Sequence, residues 1–268
     1  INFKIMKKFK WYAYMLLAMG TFMVSCSNDE NSADKGTEVK FYLTDAPTLD
    51  DYQAINIDIQ EVKYSVDGES WVDMPITPAT YNLLDFTNGK DTLLSNITLY
   101  EGEHISQIRL VLGDNNELVL NDGSVVPIST PSAQTSGLKF NVQESIITSS
   151  GYSVVIDFDA AKSIVAKGNG NYSLKPVIRA YVVENTSAIS GNINPADVPY
   201  FVFTVVGEDT ISTVSDTTLN NYFKLHGLST GTYKVEFQSM DADTVQYSTL
   251  VDVFGGTNKD LGVVDLTK

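Results

Sequence analysis

Two aspartates, Asp157 and Asp159, stand two residues apart in the mainly apolar run 152–160. In a β-strand this spacing puts both carboxylates on one face, about 6.6 to 6.8 Å apart along the chain. That distance is near the separation at which two carboxylates act as acid and base on a glycoside. Catalysis, a bound cation such as calcium, and a structural charge network are therefore the alternatives for this pair.

Basic residues favour the structural alternative. Calcium needs six to eight oxygen ligands, and no loop in the linear sequence supplies them. Cations are plentiful enough to pair both acids: Arg109, Lys139, Lys162, Lys175 and Arg179. We predict no catalytic residue, no metal and a structural charge network composed of Asp45, Arg109, Lys139, Asp157, Asp159 and Lys162.

The run Gly227–Gly231 matches the Gly-x-Ser-x-Gly pattern of hydrolases, and His226 precedes it. A nucleophile elbow needs a strand before the serine and a helix after it. Residues 232–237 alternate as a strand, so we interpret the run as a hairpin turn. The other histidine, His104, falls in a different predicted domain and offers no metal-ligand spacing. No cofactor is predicted.

Cys26 is the single cysteine of the sequence, and it directly follows an uncharged stretch, 11–25. Four lysines precede this stretch. A positive segment followed by a short apolar one is typical of a signal peptide. The stretch is too short for a comfortable bilayer span. Its end resembles the lipobox of bacterial lipoproteins, with Ser25 as the small residue before the cysteine, which implies cleavage after residue 25 and lipidation of Cys26.

Lipid chains at Cys26 would hold the protein on a membrane, since each buried methylene contributes about 0.8 kcal/mol. The pair Asp29-Glu30 resembles signals that send lipoproteins to the outer face of the outer membrane. We therefore expect an outer-membrane protein that faces the cell exterior, with residues 26–35 as anchor and polar tether. A periplasm-facing anchor is the alternative.

The charge of the chain excludes some partners. Without the first 25 residues it has 14 basic and 33 acidic residues. Such a chain repels polyphosphate, so nucleic acid and anionic lipid surfaces are not expected partners. Four Asp-Thr-x patterns resemble acceptor sites for bacterial O-glycosylation, and chance matches to so short a pattern are common: Thr92, Thr210, Thr217 and Thr244.

The elements that position these residues are strands. Apolar residues alternate with polar ones at Val39, Phe41 and Leu43, as period two requires of a strand face. The alternation 55–59 changes parity near Gln60, which predicts a bulge. Turns are predicted at 67–68, 122–123 and 168–171 because each contains glycine between apolar runs. Helical signals are brief, at 159–166 and 91–97. The chain is predicted to be all-β.

Two segments resemble known families. Residues from about 36 to 184 resemble a lipoprotein domain family of unknown function, through the motifs 43–47, Trp71, 83–85, 108–110, 137–139, 157–159 and 174–177. Residues from about 187 to 268 resemble carboxypeptidase regulatory-like domains, through 190–193, 223–225 and 227–235. The second resemblance implies a transthyretin-like sandwich of seven strands. We therefore predict two tandem β-sandwich-like domains, 36–184 and 187–268, joined at a polar boundary.

Neither resemblance implies an activity. We expect a non-enzymatic lipoprotein with an adhesion, assembly or structural role, in contact with an extracellular protein. The alternative is a glycan-binding accessory lipoprotein. Glycan sites commonly present aromatic side chains, but Trp71 is the only tryptophan after residue 25. We predict that Trp71 packs in the core.

Overall fold

The computed structural model describes residues 36–46, 52–100, 102–130, 133, 136–143, 151–207, 209–240, 242 and 244–267. Residues 36–268 form one compact unit. Strands make up most of it, and its one described α-helix, α1 (Ala160–Ser163), has four residues. The prediction of an all-β chain is confirmed.

The first part of this unit contains thirteen strands. They are β1 (Thr37–Ala46), β2 (Tyr52–Ser65), β3 (Val72–Asp73), β4 (Ala79–Asn82), β5 (Thr92–Leu99), β6 (Gln107–Leu112), β7 (Glu117–Leu120), β8 (Val125–Ser129), β9 (Leu138–Gln143), β10 (Tyr152–Asp159), β11 (Ile164–Lys167), β12 (Asn171–Leu174) and β13 (Ile178–Val182). The described residues of this part also form α1 and two short 3-10 helices, Leu83–Phe86 and Val183–Asn185.

Eleven of these described strands form a single hydrogen-bonded path around one hydrophobic core, and β3 and β4 pair with β2 beside that path. The predicted inward residues of β1, Val39, Phe41 and Leu43, are fully buried in that core. Near the end of the path β10 lies between β1, to which it is parallel, and β13, to which it is antiparallel. Nearly every residue of β10 is buried, because one face of the strand covers the core and the other faces the second part of the unit.

The longest strand, β2, bends between two sets of partners. Its first half pairs with β4 and β7, and its second half pairs with β3 and β6. The register against β6 shifts between Ile59 and Glu61, which confirms the predicted bulge. An extra residue in one strand turns the following side chains to the opposite face, so Val62 is buried although Ile59 is buried as well.

The predicted turns at 67–68, 122–123 and 168–171 are confirmed, each between two strands. Gly68 and Gly123 have φ of 79° and 81°, in the left-handed region that glycine enters without strain. Of the two helical signals, 159–166 contains α1, with the Asp159 side chain as its N-cap. The signal at 91–97 was wrong, because that segment belongs to β5, which pairs with β1 along its length.

The second part of the unit contains seven strands in two sheets. They are β14 (Ser187–Asn194), β15 (Tyr200–Val206), β16 (Asp209–Val214), β17 (Tyr222–Leu228), β18 (Gly231–Ser239), β19 (Tyr247–Val253) and β20 (Asn258–Asp265). One sheet has the order β17-β14-β20 and the other β16-β15-β18-β19. A second hydrophobic core lies between them and includes Phe223 and Phe237, whose rings meet edge to face at 5.4 Å.

One strand and one turn of this part need comment. In β15 the buried residues include Tyr200 and Val202, while the rings of Phe201 and Phe203 lie side by side on the outer face. The 227–231 segment does connect two strands, β17 and β18, and no helix follows it. It is not a hairpin, however, because these strands belong to different sheets.

The two sides of this sandwich have different surroundings. On one side, β16 and β17 contact residues of the first part of the unit. On the other side, β19 pairs only with β18, and β20 pairs only with β14, among the strands that the structure describes. Within the same ranges, no helix has the length and apolar character needed to cross a bilayer.

Candidate functional site

Asp157 lies on the outer face of β10, where the first part of the unit contacts the second. Its Oδ2 accepts hydrogen bonds from Arg179 Nε at 2.6 Å and pairs with Arg179 Nη2 at 2.5 Å. Arg179, directly opposite on β13, also donates from Nη2 to the carbonyl oxygen of His226 at 3.3 Å. The ion pair thus links the sheet of the first part to β17 of the second.

Tyr181 and His226 form the next contact across this junction. The Tyr181 hydroxyl lies within hydrogen-bond distance of His226 Nδ1. Burial lowers the pKa of His226 to about 4 and raises that of Tyr181 well above its usual value. Both rings are therefore neutral at pH 7, and the phenol and Nδ1 can share one hydrogen bond. Gly227 packs on the same tyrosine, so closely that an added Cβ would lie 2.7 Å from Cε1.

Asn88 makes a third link. It has φ of 57°, and its side chain pairs with the backbone of β17: Nδ2 donates to the Tyr222 carbonyl at 3.0 Å and Oδ1 accepts from the Lys224 N–H at 3.2 Å. The loop that carries Asn88 is held by Thr44, whose hydroxyl lies 2.9 Å from the Phe86 carbonyl. Sequence reasoning missed this residue, although the Asn88-Gly89 dipeptide is a turn signal.

A cavity of about 180 Å³ lies beside the ion pair, and its lining comes from both parts of the unit. Asp157 and Asp159 both line it, which confirms that they share a face. Asp159 pairs with Lys162 at 3.0 Å, and Lys162 donates to the Thr210 carbonyl at 3.3 Å. Ser229, the serine of the hydrolase-like pattern, also lines the cavity and accepts a hydrogen bond from Tyr233 through its carbonyl oxygen.

Asp45 is buried on the core side of β1, beside the start of α1. Its Oδ1 accepts from the Ala160 N–H at 2.9 Å, while Oδ2 is buried and has no hydrogen-bond partner. Burial raises the pKa of Asp45 well above its usual value, and the negative charges of Asp157 and Asp159 raise it further, against the lowering effect of the Ala160 N–H. The Asp45 side chain therefore contacts the start of α1 through one hydrogen bond.

Arg109 and Lys139 do not join these acids. They are cross-strand neighbours on β6 and β9, and they pair with no acidic residue in the described part of the chain. Instead they lie over the ring of Trp71, at 4.0 Å and 5.5 Å from its centroid. The predicted network was wrong in including them. Trp71 is half-buried outside both cores, so its predicted core position was also wrong.

The remaining predicted sites have diverse settings. Cys26 lies outside the described residues. Thr217 and Thr244 are exposed, while Thr92 and Thr210 are half-buried in β5 and β16, and O-glycosylation at all four stays a prediction. Among the residues described, no group of three or more histidine, cysteine, aspartate or glutamate side chains is arranged to hold a metal ion.

A groove of about 770 Å³ runs between β19 and β20 of the second sandwich, and polar and apolar side chains both line it. Large apolar side chains are also exposed to solvent on these strands and just after β19, with exposed fractions of 73% for Leu250, 68% for Val263 and 67% for Phe254. Sequence reasoning missed this surface, because alternation marks a strand but does not show whether a further strand covers its edge.

The chain matches one family model, described as "Domain of unknown function (DUF4382)", over residues 36–176. The chain belongs to this family. The match covers more than half of the sequence and confirms that the first segment belongs to a family of unknown function. For residues beyond 176, the carboxypeptidase regulatory-like resemblance stays a prediction. The comparison with curated proteins gives no match.

Among solved structures, similar chains include the Bacillus anthracis TIE protein, at 11% identity and a TM-score of 0.23, over 85% of this chain and 34% of that chain. BcpA, the major pilin subunit of Bacillus cereus, has 13% identity and a TM-score of 0.22, over 85% of this chain and 69% of that one. A fimbrial protein from Bacteroides ovatus has 12% identity and a TM-score of 0.22, over 87% of this chain and 50% of that chain. The chain thus spans about a third of the first protein.

Proposed function

We propose that this protein is a non-enzymatic lipoprotein, anchored through Cys26 to the outer face of the outer membrane, whose role is structural and is exerted through protein contacts. The observation that carries the proposal is the uncovered edge of the second sandwich. Leu250, in the edge strand β19, is 73% exposed, and an exposed apolar side chain on an uncovered strand edge favours association with another polypeptide.

The edge also offers backbone groups. Among the described strands none pairs with the outer side of β19, so its N–H and C=O groups can accept an added strand. Sheet proteins commonly protect such edges with lysine, proline or a covering loop. The segment 247–251 contains no charge and no proline. An extended polypeptide segment is therefore the partner that this edge fits best.

The junction supports the same proposal in a different way. Its acids and bases are engaged with one another, because Asp157 pairs with Arg179 and Asp159 pairs with Lys162. These contacts, together with Asn88, connect the first part of the unit to β16 and β17 and leave the opposite edge free. The first part would thereby hold the binding edge in a fixed orientation above the anchor.

The test is site-specific photo-crosslinking in intact cells. A photoreactive amino acid at Leu250 should give a discrete adduct with a protein, whereas the same amino acid at Val205 should not. Val205 is a matched control because it is 57% exposed, apolar and on the outer face of the same sheet. The absence of an adduct at Leu250, or equal adducts at both positions, would contradict the proposal.

Surface trypsin treatment of the same cells tests the location. Digestion without lysis supports exposure on the cell exterior, and protection until the outer membrane is opened would instead favour a periplasm-facing anchor. A hydrolytic activity that is lost in Asp157→Asn while the melting temperature stays unchanged would contradict the non-enzymatic part of the proposal.

A second candidate function, glycan binding, is favoured by the surface around Trp71. Arg109 and Lys139 there lie beside Gln107 and Asn141, whose side chains hydrogen-bond each other at 3.0 Å. Together these side chains and Trp71 offer an aromatic ring and several hydrogen-bond donors on one sheet face. Its test is a polysaccharide panel followed by Trp71 fluorescence: saturable binding that Arg109→Ala weakens at least tenfold supports this candidate, and no binding removes it.

A further inference from the structure

We propose that the segment that pairs with β19 is the β19 of a second copy of this protein, added antiparallel and centred on Leu250. This inference rests on the proposed function and names its partner. Two copies related by a two-fold axis present the same surface to each other. A strand can therefore pair with itself only if its sequence is complementary to its own reverse.

The sequence of β19 meets this condition in the register centred on Leu250. With Leu250 on the axis, Leu250 faces its own copy, Ser248 faces Asp252, and Thr249 faces Val251. Directly opposite residues in antiparallel strands have Cβ atoms about 4.5 to 5.5 Å apart, so the two exposed leucines would bury each other. Asp252 already accepts from the Thr232 hydroxyl through Oδ1 at 2.6 Å, and its other oxygen would accept from Ser248.

The same register separates the acidic groups, although the chain is strongly acidic. The two Asp252 side chains would stand four residues apart, about 13 Å at 3.3 Å per residue. That exceeds the Debye length of about 8 Å at physiological ionic strength. A register centred on Asp252 would bring the two carboxylates face to face, which is destabilising.

The groove would become part of the dimer. Thr249, Val251 and Val253 alternate toward the interior of the sandwich, and the groove is lined by Tyr247, Thr249 and residues of β20. Pairing through β19 would join the two four-stranded sheets into one of eight and place the two grooves side by side. Each Tyr247, which is partly exposed in the single chain, would stand opposite Val253 of the other copy.

Membrane anchoring favours this association. A lipid anchor confines every copy to one surface, which raises the effective concentration of the partner. In such a dimer, the outward N–H and C=O groups of β19 need no other protein as a hydrogen-bond partner. The proposal therefore predicts self-association of the isolated unit at high concentration and dimers on the membrane.

The first experiment uses residues 36–268, which contain both cores and no cysteine. Light scattering should show a mass that rises from monomer to dimer with concentration. Leu250→Lys should shift the dimerisation constant at least tenfold toward monomer, with an unchanged melting temperature because the side chain is exposed. Val205→Lys should associate like the parent. Dimerisation of Leu250→Lys at the parent concentration would overturn the proposal.

The second experiment tests the register. Cα atoms of opposed residues in antiparallel strands lie about 4.5 or 5.5 Å apart, within the range that a disulfide spans. Leu250→Cys should therefore become a covalent dimer on mild oxidation, and Val205→Cys should stay mostly monomeric. Equal crosslinking of the two variants would overturn the register.

The photo-crosslinking described above separates this inference from the proposed function. An adduct at Leu250 between two copies supports both. An adduct only with a different protein, from a chain that is monomeric in solution, overturns the self-pairing and leaves the proposed function intact. No adduct overturns both.

Discussion

Replacing Arg179 by methionine tests whether the ion pair at the junction is structural. The substitution keeps most of the side-chain volume and removes the cation. It leaves the Asp157 carboxylate, which is 5% exposed, without the group that contacts its Oδ2 at 2.5 Å and 2.6 Å. Breaking a buried pair in this way costs about 3 to 5 kcal/mol, because the remaining charge is uncompensated.

The lower end of that range applies here, since the Arg179 side chain is 27% exposed and water can reach its place. A loss of about 3 kcal/mol lowers the melting temperature of a unit of this size by roughly 6 to 12 °C. The assay is urea unfolding followed by Trp71 fluorescence and circular dichroism. The double variant Asp157→Asn/Arg179→Met should regain about 1 kcal/mol or more, because the two residues act as a pair.

The control is Lys40→Met, which removes one partner of the exposed pair with Glu38 at 3.7 Å. Its cost should stay below about 1 kcal/mol. If Arg179→Met lowers the free energy of unfolding no more than this control does, the ion pair is not structural. Asp157→Asn alone should also lower the melting temperature while leaving any hydrolysis of a polysaccharide panel unchanged.

Three further predictions concern other residues. The free energy of unfolding should fall as the pH decreases from about 6.5 to about 4, because the unfolded chain protonates His226 in that window and the folded chain does not. Denaturant titrations at several pH values measure this profile. The variant His226→Gln should flatten it between these pH values. Gly227→Ala should lower the free energy of unfolding by about 1 to 3 kcal/mol, since φ is 73° and the added methyl group meets Tyr181. Calorimetry measures this loss. The control Gly123→Ala, whose methyl group meets no atom within 4 Å, separates the effect of the backbone conformation from that of the contact. Cys26→Ala should abolish labelling by a radioactive fatty acid and release the protein from the membrane fraction, and unchanged fractionation would contradict the anchor.

Alternation was sufficient to predict those strands that have one face on a core. Val39, Phe41 and Leu43 are buried as their spacing requires, and even the bulge after Ile59 follows from a change of parity. Where both neighbours of a residue are apolar, the pattern is ambiguous. In β15 the residues from Tyr200 to Phe203 are all apolar, and Tyr200 and Val202 are the ones inside.

The candidate sites were less predictable, since they depend on contacts between residues far apart in the chain. The position of Asp157 in the sequence does not show whether its ion-pair partner is Arg179 or Arg109, because the partner depends on the order of strands in the sheet. The role of Asn88 depends on a loop that meets β17 across more than 130 residues. The exposed edge at Leu250 depends on which strands lie beside β19, and a linear pattern does not contain that information.

The parallel pairing of β1 with β10 has a consequence for how the protein is made. Val39 pairs with Tyr152, so more than a hundred residues separate the partners. Contacts of such long sequence separation slow folding, because the entropy of closing the intervening loop opposes them. A chain that emerges from its N-terminus presents β1 long before β10 exists, and the apolar face of β1 stays uncovered in the interval. We therefore expect the nascent protein to need a holding chaperone during export, and to aggregate when refolding is attempted at high concentration.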